Sequence, residues 1–437
     1  MRKKTGAIDL TTGNEMRAIV VFALPLIAGN LFQQLYNLMD TMIVGKFIGA
    51  DALAAVGSSY MTMNFLTSII IGLCMGSGIV FSWFYGSRQR EKLEQSMFQS
   101  FLFILAVTVM ITGASLLFLD QLLHLLNIES SIFQMTRAYL FIIICGMGFV
   151  FLYNYGKFVY ATDFFGDFVG DQYRIGLYIC SSASDGSIRS SLCHGHRAGS
   201  IGSRNCSLYT VEGKRGKYFQ ADAKRRERIV LYDRESVTFD KRAAVDYEFR
   251  YFDVQGLVNS FGVIVMAGFA AAVKIDSFAY MPVQDFGNAF STYVAQNRGA
   301  GKMERIEKGK NSALKLIVGS CVVISTLVVL FAGPLMRLFI DASETQVIFE
   351  GVRYLRIVSP FYCLIGFLFL LYGLYRGIGK PQFSIVLTII SLGTRVLLAY
   401  VLSAIPAVGI VGIWWAIPIG WFLADTVGFL YYHFMKK

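Results

Sequence analysis

Apolar stretches longer than the roughly 20 residues needed to cross about 30 Å of hydrocarbon recur along most of this chain. Of its 437 residues, 55% are hydrophobic and 16% are charged, whereas soluble domains carry about 25% charged residues. The mean hydropathy is +0.54. We therefore expect an all-α polytopic membrane protein, because helices satisfy their backbone hydrogen bonds inside the bilayer.

The apolar stretches define ten candidate spans. They are residues 16–43, 52–84, 97–119, 135–161, 254–273, 276–296, 313–339, 352–376, 382–405 and 408–433. Basic segments follow the second, sixth and eighth candidates and stand at both ends of the chain. All of them fall on one side of the membrane if the N-terminus is cytoplasmic, as the positive-inside rule requires. This predicts a multi-pass protein of the cytoplasmic membrane with both termini in the cytoplasm, and the net charge of +11 then indicates no nucleic-acid partner.

Residues 163–250 interrupt this pattern, because they are densely charged and contain no apolar run long enough to cross a bilayer. The basic loops require an even number of crossings here, and zero is the simplest number. We therefore expect a polar cytoplasmic segment. Cys193, His194 and His196 in this segment match no zinc-ligand spacing, so we predict neither a metal site nor a cofactor.

An internal repeat joins the two ends of the chain. "YGSRQREKLEQ" after the second candidate span resembles "NRGAGKMERIEK" after the sixth, and aligning Gly86 with Gly299 gives an offset of 299 − 86 = 213. The same offset aligns Gly49 with Gly262. Two halves with the same order of spans predict two pseudo-symmetric helical lobes, as in many secondary transporters, with the substrate bound between the repeats.

The first candidate span carries an unusual polar stripe. On a helix, Asn30, Gln33, Asn37 and Asp40 share one face, with Gln34 at its edge. A polar stripe on a membrane helix should face a bundle interior or a wet cavity. We therefore predict that it lines a cavity, with the alternative that Asp40 lies at the outer water boundary.

A second polar set lies in the other half of the chain, in or beside the fifth and sixth candidate spans. Its members are Asn259, Lys274, Asp276, Gln284, Asp285 and Asn288. We predict that they line the same substrate or cation cavity, with packing through interhelical hydrogen bonds as the alternative. Since no His/Asp or Cys/His constellation lies inside the spans, we do not expect an enzyme.

Several stretches resemble a known family. "LPLIAGNLFQQLYNLMDTMIVGKFIGADALAAVG" resembles the first span and following loop of the multidrug and toxic compound extrusion (MATE) transporters. "GLVNSFGVIVMAGFAAAVKIDSFAYMPVQDFGNAFSTYVAQNRGAGK" resembles their seventh and eighth spans, and "YRGIGKPQFSIVLTIISLGTRVLLAYVL" resembles the end of the tenth and the eleventh. The resemblance covers about residues 1–160 and 252–437.

The resemblance implies twelve spans in two six-helix lobes around a central cleft, of which about ten are recognisable here. It also implies that a monomer exports drugs or other cationic amphiphiles in exchange for Na⁺ or H⁺, with Asp40 matching the ion-coupling aspartate. A flippase for lipid-linked saccharides, of related architecture, is an alternative. A non-functional product of a damaged gene is another.

The chain departs from the family where spans five, six and the start of seven should stand. This predicts an N-terminal lobe of four spans at 1–162, an aberrant segment at 163–250 and a C-terminal lobe of six spans at 251–437. We expect a disrupted reading frame in the middle segment, since a tolerated insertion would fall in a loop. The alternative is a genuine soluble insert in a protein with ten spans.

Overall fold

The computed structural model describes residues 9–47, 50–125, 128, 130–159, 254, 257–258 and 260–436. Within these ranges every regular element is a helix. The helices are α1 (Glu15–Phe47), α2 (Ala50–Gly86), α3 (Arg90–Leu117), α4 (Leu119–Leu125), α5 (Ser130–Cys145), α6 (Met147–Val159), α7 (Val263–Gly299), α8 (Met303–Leu330), α9 (Ala332–Arg337), α10 (Thr345–Val358), α11 (Tyr362–Gly377), α12 (Pro381–Ser403) and α13 (Ile410–Lys436), with a 3₁₀ turn at Ser359–Phe361 between α10 and α11.

In the described parts of the chain, eight helical segments are long and apolar enough to cross a membrane, counting α10 and α11 together. The number rises to nine if α5 and α6, which meet at 42°, form one bent span. Their outer faces are apolar and exposed, as at Met110 (70% exposed) and Leu117 (78% exposed) on α3. The prediction of an all-α membrane protein is therefore confirmed.

The prediction of two separate spans at 254–273 and 276–296 is wrong. A single helix, α7, runs through their boundary. Lys274 and Asp276 suggested a loop, but Asp276 is buried and bound by two tyrosines, so the charge is accommodated inside the bundle. With one span here instead of two, the basic loops no longer require an even number of crossings between α6 and α7. The cytoplasmic placement of residues 163–250 stays a prediction without that support.

The internal repeat extends beyond the motifs that revealed it. Helices α2 and α7 each have 37 residues, helices α3 and α8 each have 28, and both pairs begin and end at positions separated by the same 213 residues. The turn that joins each pair is also repeated. Arg88 has φ 56° and its counterpart Gly301 has φ 71°, so both halves use a left-handed residue there.

The described chain divides into two compact units. The first contains residues 31–81 and 89–159, and its core is an apolar cluster from α2 to α6 that includes Leu73, Ile104 and Phe151. The second contains residues 9–30, 82–88 and the described residues from 254 on. Helices α1 and α2 therefore each contribute residues to both units.

The C-terminal ends of α2 and α7 cross within the second unit, where glycines allow their backbones to meet. A Cβ atom added to Gly86 would lie 2.0 Å from the carbonyl oxygen of Gln296, and one added to Gly299 would lie 2.1 Å from that of Trp83. Positions 83 and 296 are equivalent in the repeat, as are 86 and 299. The contact is therefore reciprocal, as expected around a pseudo-two-fold axis.

The N-terminal segment is anchored to this same end of α7. Leu10 is fully buried, its N–H donates to the Gln296 Oε1 at 3.0 Å, and its carbonyl accepts from the Asn297 Nδ2 at 3.1 Å. Arg305 donates to the Gly13 carbonyl at 2.9 Å and pairs with Glu15 at 3.2 Å. The segment before α1 is thus held by side chains from the start of α8 and the end of α7.

Candidate polar site on helix α7

Close packing of α7 against α11 creates the environment of the candidate site. A Cβ atom added to Gly287 would lie 2.7 Å from the Phe369 carbonyl, and one added to Gly373 would lie 2.3 Å from the Gly287 carbonyl. Small residues let membrane helices approach in this way. Because the backbones are so close, the polar side chains on either side of Gly287 reach neighbouring helices directly.

Asp285 lies on α7 two residues before this crossing and is only 2% exposed. The Asn30 Nδ2 of α1 donates to both of its carboxylate oxygens, at 2.8 Å to Oδ1 and 2.9 Å to Oδ2. The pair joins two predicted site residues that are far apart in sequence. An amide carries no charge, so Asn30 does not neutralise this carboxylate.

Asn288 lies almost one turn further along α7 and is half-buried. Its Oδ1 accepts from the Arg376 Nη2 at 3.3 Å, and the Arg376 Nε donates to the Tyr372 carbonyl at 3.1 Å. The sequence reading missed Arg376, because its "YRGIGKP" context indicated a basic loop outside the membrane. The sequence feature that could have identified Arg376 is its position at the end of an apolar span, one residue before Gly377.

Asp276 occupies a different environment on α7. It is 5% exposed, its Oδ2 accepts from the Tyr354 hydroxyl at 2.7 Å, and its Oδ1 accepts from the Tyr362 hydroxyl. The Trp414 ring packs edge-on against Tyr354, with centroids 4.9 Å apart. Nothing in the sequence spacing indicated these tyrosines, which lie 78 and 86 residues away. Both carboxylate oxygens are satisfied, as in a structural polar network.

The other predicted site residues have different degrees of exposure or are not described. Lys274 and Gln284 are exposed on α7. Gln33 and Gln34 are half-buried on α1 and belong to the first unit. Three predicted site residues have side chains that the structure does not describe. Asn37 and Asp40 lie in helix α1, and Asn259 lies outside the described residues.

The arrangement can therefore bind cations or protons at one buried carboxylate, with a guanidinium one helical turn away. Within the described ranges, no three His, Cys, Asp or Glu side chains lie close enough together to hold a metal ion. A site with one buried carboxylate and an amide neighbour suits a monovalent ion or an organic cation better than a tightly bound divalent metal.

Comparison with known proteins identifies relatives along nearly the whole chain. The chain is 26% identical to the probable multidrug resistance protein YoeA of Bacillus subtilis, over 96% of this chain and 94% of that protein. It is also 26% identical to the probable multidrug resistance protein YpnP of the same organism, over 98% and 97% of the two chains.

Solved structures share the fold. A structure described as the outward-facing conformation of a multidrug resistance MATE family transporter matches with a TM-score of 0.90, at 21% identity and over 98% of both chains. A transporter of the MOP superfamily from Pyrococcus furiosus, described as having a binding pocket of reverse polarity, matches with a TM-score of 0.88 at 22% identity over 98% of both chains. These likenesses support the two-lobed transporter fold.

The family model named MatE matches residues 25–161 and 249–401, which leaves 162–248 between the two matched segments. The resemblance to MATE transporters is thereby confirmed. Because the family is one of transporters, the prediction that the chain is not an enzyme is confirmed as well. This chain belongs to the MatE family.

Proposed function

We propose that this protein is an antiporter that exports drugs or other organic cations across the cytoplasmic membrane in exchange for Na⁺ or H⁺. The names of the two Bacillus relatives support drug export. The observation that carries the proposal is the buried carboxylate of Asp285, which one neutral amide binds through both oxygens. Ionisable residues buried among membrane helices mark ion or substrate pathways.

Exchange follows from competition for carboxylates. Binding of Na⁺ or H⁺ at Asp40 on α1 neutralises it and releases an organic cation to the outside, and loss of the ion to the inside restores the affinity for the next cation. Because each ligand lowers the affinity for the other, the two fluxes are linked thermodynamically. Asp285, in contact with α1 through Asn30, supplies a second acidic group for this competition.

The proposal also includes the oligomeric state, the membrane topology and the residues of the cavity. The protein acts as a monomer with both termini in the cytoplasm, and it needs no cofactor besides the coupling ion. Asn30, Asp285 and Asn288 contribute to the substrate or cation cavity, and so do the two exposed residues of α7, Lys274 and Gln284. Asp276, which two tyrosines hold, contributes through the position of α7.

We further propose that residues 163–250 replace membrane spans, so that the chain as printed is not a working transporter. The Bacillus relatives align over almost their whole length, which supports replacement of equal length rather than an added insert. The single long helix α7 also supports this, because basic segments on one side of the membrane then require an odd number of crossings between α6 and α7. The predicted division is a lobe at 1–162, the aberrant segment and a lobe at 251–437.

One observation favours a second candidate, a flippase for lipid-linked saccharides. Arg376 is only 9% exposed and donates to Asn288 beside the candidate site. A guanidinium binds phosphate oxygens in a bidentate manner, and lipid-linked sugars carry such phosphates. The acidic Asp285 in the same region favours cations, so we rank export of organic cations first.

Transport of ethidium by purified protein in liposomes, under an imposed Na⁺ or H⁺ gradient, tests both proposals. We expect no gradient-driven movement with the chain as printed. Movement should follow once the reading frame across codons 155–255 is restored, because the first lobe is then complete. Robust exchange by the printed chain would contradict the frame disruption. Absence of exchange in the restored form, with flipping of a lipid-linked saccharide instead, would contradict cation export.

Variants of the restored form assign the residues. Asp40→Asn and Asp285→Asn should each abolish gradient-driven ethidium movement, because an amide neither releases a proton nor attracts a cation. Asp341→Asn is the matched control, since Asp341 is exposed and its carboxylate accepts hydrogen bonds from Ser343 of its own turn. Wild-type exchange by either of the first two variants would remove that residue from the coupling machinery.

A further inference from the structure

Three buried aspartates lie on α7 and α13, and they differ in how their oxygens are satisfied. Asp276 accepts from two tyrosines, and Asp285 accepts twice from Asn30. Asp425 on α13 is 4% exposed, and neither of its oxygens has a hydrogen-bond partner among the described residues. It is thus the only one of the three without a donor.

Helix α13 packs tightly against its neighbours on both sides of Asp425 along the chain. A Cβ atom added to Gly420 would lie 2.5 Å from the Ser391 carbonyl of α12, and one added to Gly428 would lie 2.6 Å from the Leu371 side chain of α11. The residue before it, Ala424, is fully buried. Asp425 therefore faces neighbouring helices rather than lipid.

None of the described charged or titratable groups on the helices around α13 forms a hydrogen bond with Asp425. On α12, the Arg395 side chain lies beside Gly420 of α13, with its Cβ 3.4 Å from a Cβ atom added there, and its Nε has no hydrogen-bond partner among the described residues. On α11, the Tyr375 hydroxyl donates to the Gly428 carbonyl at 2.6 Å and Arg376 donates to Asn288.

The same holds for the other titratable groups nearby. On α11, the Tyr372 hydroxyl accepts from Thr388 at 3.1 Å. On α10, the Tyr354 hydroxyl is bound to Asp276, and Arg353 pairs with Glu350 at 3.6 Å. Among the described residues, no basic side chain of these helices forms an ion pair or a hydrogen bond with Asp425.

We infer that Asp425 is a proton-binding site of the second half, neutral in this conformation and ionised only when the packing of α11, α12 and α13 opens. An isolated ionised carboxylate in such surroundings carries a desolvation penalty far larger than that of the neutral acid. A metal cation would need several oxygen ligands, and among the described residues no cluster of three His, Cys, Asp or Glu side chains includes Asp425. A proton needs one oxygen.

This inference rests on the proposed function and deepens it, since it adds a second proton-binding carboxylate to the one proposed at Asp40. Conformations that expose Asp425 would release the proton, and conformations that enclose it would require one. The occupancy of the site would thereby depend on the conformational state, which is the condition for coupling. Proton binding itself can be tested without transport, so its failure would leave the export proposal intact.

Infrared spectroscopy of the purified full chain at neutral pH provides the direct test. We expect a carbonyl band of a protonated carboxyl group in the wild type that is lost in Asp425→Asn and retained in Asp341→Asn. Retention of the whole band in Asp425→Asn would overturn the inference. So would stabilisation of the wild type, but not of Asp425→Asn, by Na⁺ at constant ionic strength, because the site would then bind the metal ion.

The pH dependence of thermal unfolding provides a second measurement. If the folded chain holds one proton that the unfolded chain releases, its folding equilibrium constant falls about tenfold per pH unit in the range where only the folded state is protonated. Asp425→Asn should remove this slope, and Asp425→Leu should do the same while testing whether the effect depends on a polar side chain. An unchanged slope in both variants would contradict proton binding at this residue.

Discussion

Helices α2 and α7 have the same length and occupy the same register of the repeat, but they carry different chemistry. Where α7 has Asp276, Asp285 and Asn288, α2 has Met63, Gly72 and Met75. The first unit accordingly closes on an apolar core, whereas α7 carries buried carboxylates that other helices must satisfy. The repeat thus fixes backbone geometry, while Asp276 and Asp285 of α7 have no acidic counterpart at the equivalent positions of α2.

The largest expected effect comes from replacing Asp276 of α7 with methionine, the residue at the equivalent position 63 of α2. Asp276→Met leaves the Tyr354 and Tyr362 hydroxyls without their acceptor, and each buried group left unsatisfied costs about 1–3 kcal/mol. We therefore expect a loss of about 2–6 kcal/mol in the free energy of unfolding, measured by denaturation in detergent.

A triple variant separates this network from simple packing. Asp276→Met combined with Tyr354→Phe and Tyr362→Phe removes both partners, so most of the stability should return. If the triple variant were as unstable as Asp276→Met alone, the hydroxyls would not be the source of the loss.

The reciprocal glycine contact should be equally sensitive on both sides. Gly86→Ala and Gly299→Ala each place a Cβ atom against a rigid backbone carbonyl, and we expect a loss of about 1–3 kcal/mol from overpacking in each case. The thermal midpoint in detergent would measure it. Unequal losses, with one variant near neutral, would mean that the crossing is not symmetric in energy.

The repeated turn between the paired helices offers a smaller comparison. Gly301→Ala introduces a Cβ atom at φ 71°, and we expect a loss of about 1 kcal/mol, while Arg88→Gly should gain a similar amount by relieving strain at φ 56°. Opposite signs in the two unfolding curves are the expected result. A loss of stability in both variants would indicate that the Arg88 side chain contributes more than its backbone costs.

The smallest effect belongs to a glycine without close neighbours. A Cβ atom added to Gly319 on α8 meets nothing within 4 Å, and its counterpart in the first half is Ala106. Gly319→Ala should therefore stabilise the helix by about 0.5–1 kcal/mol. A destabilised variant, seen as a lower thermal midpoint, would break the equivalence of α3 and α8.

Much of the fold could be predicted from local sequence. Apolar runs gave the helices because length and composition alone decide what can cross a bilayer, and one pair of basic motifs gave the offset that helices α2, α3, α7 and α8 share. The division of α7 into two spans failed for a physical reason. Local sequence shows the charge of Asp276 but not the tyrosines that satisfy it from other helices.

The candidate site was predictable only in part. Asn30, Asp285 and Asn288 were identified because amides and acids are expensive inside a membrane wherever they occur. Their partners depend on which helices cross, so neither the contact of Arg376 with Asn288 nor the pairing of Asn30 with Asp285 could be read from spacing. The isolation of Asp425 is likewise a tertiary property, since only the packed structure reveals that no donor reaches it.

The reciprocal contact between α2 and α7 has a consequence for the history of the chain. If the two halves were separate copies of one subunit, an isologous contact would place the same side chain at both equivalent positions. Joining the halves in one polypeptide removes that constraint, and the pair now differs, with Trp83 on one side and Gln296 on the other. Position 296 has a separate role, because the Gln296 side chain accepts a hydrogen bond from the Leu10 amide. Because the two halves form one polypeptide, the side chains on the two sides of this contact can differ while the backbones still pack closely.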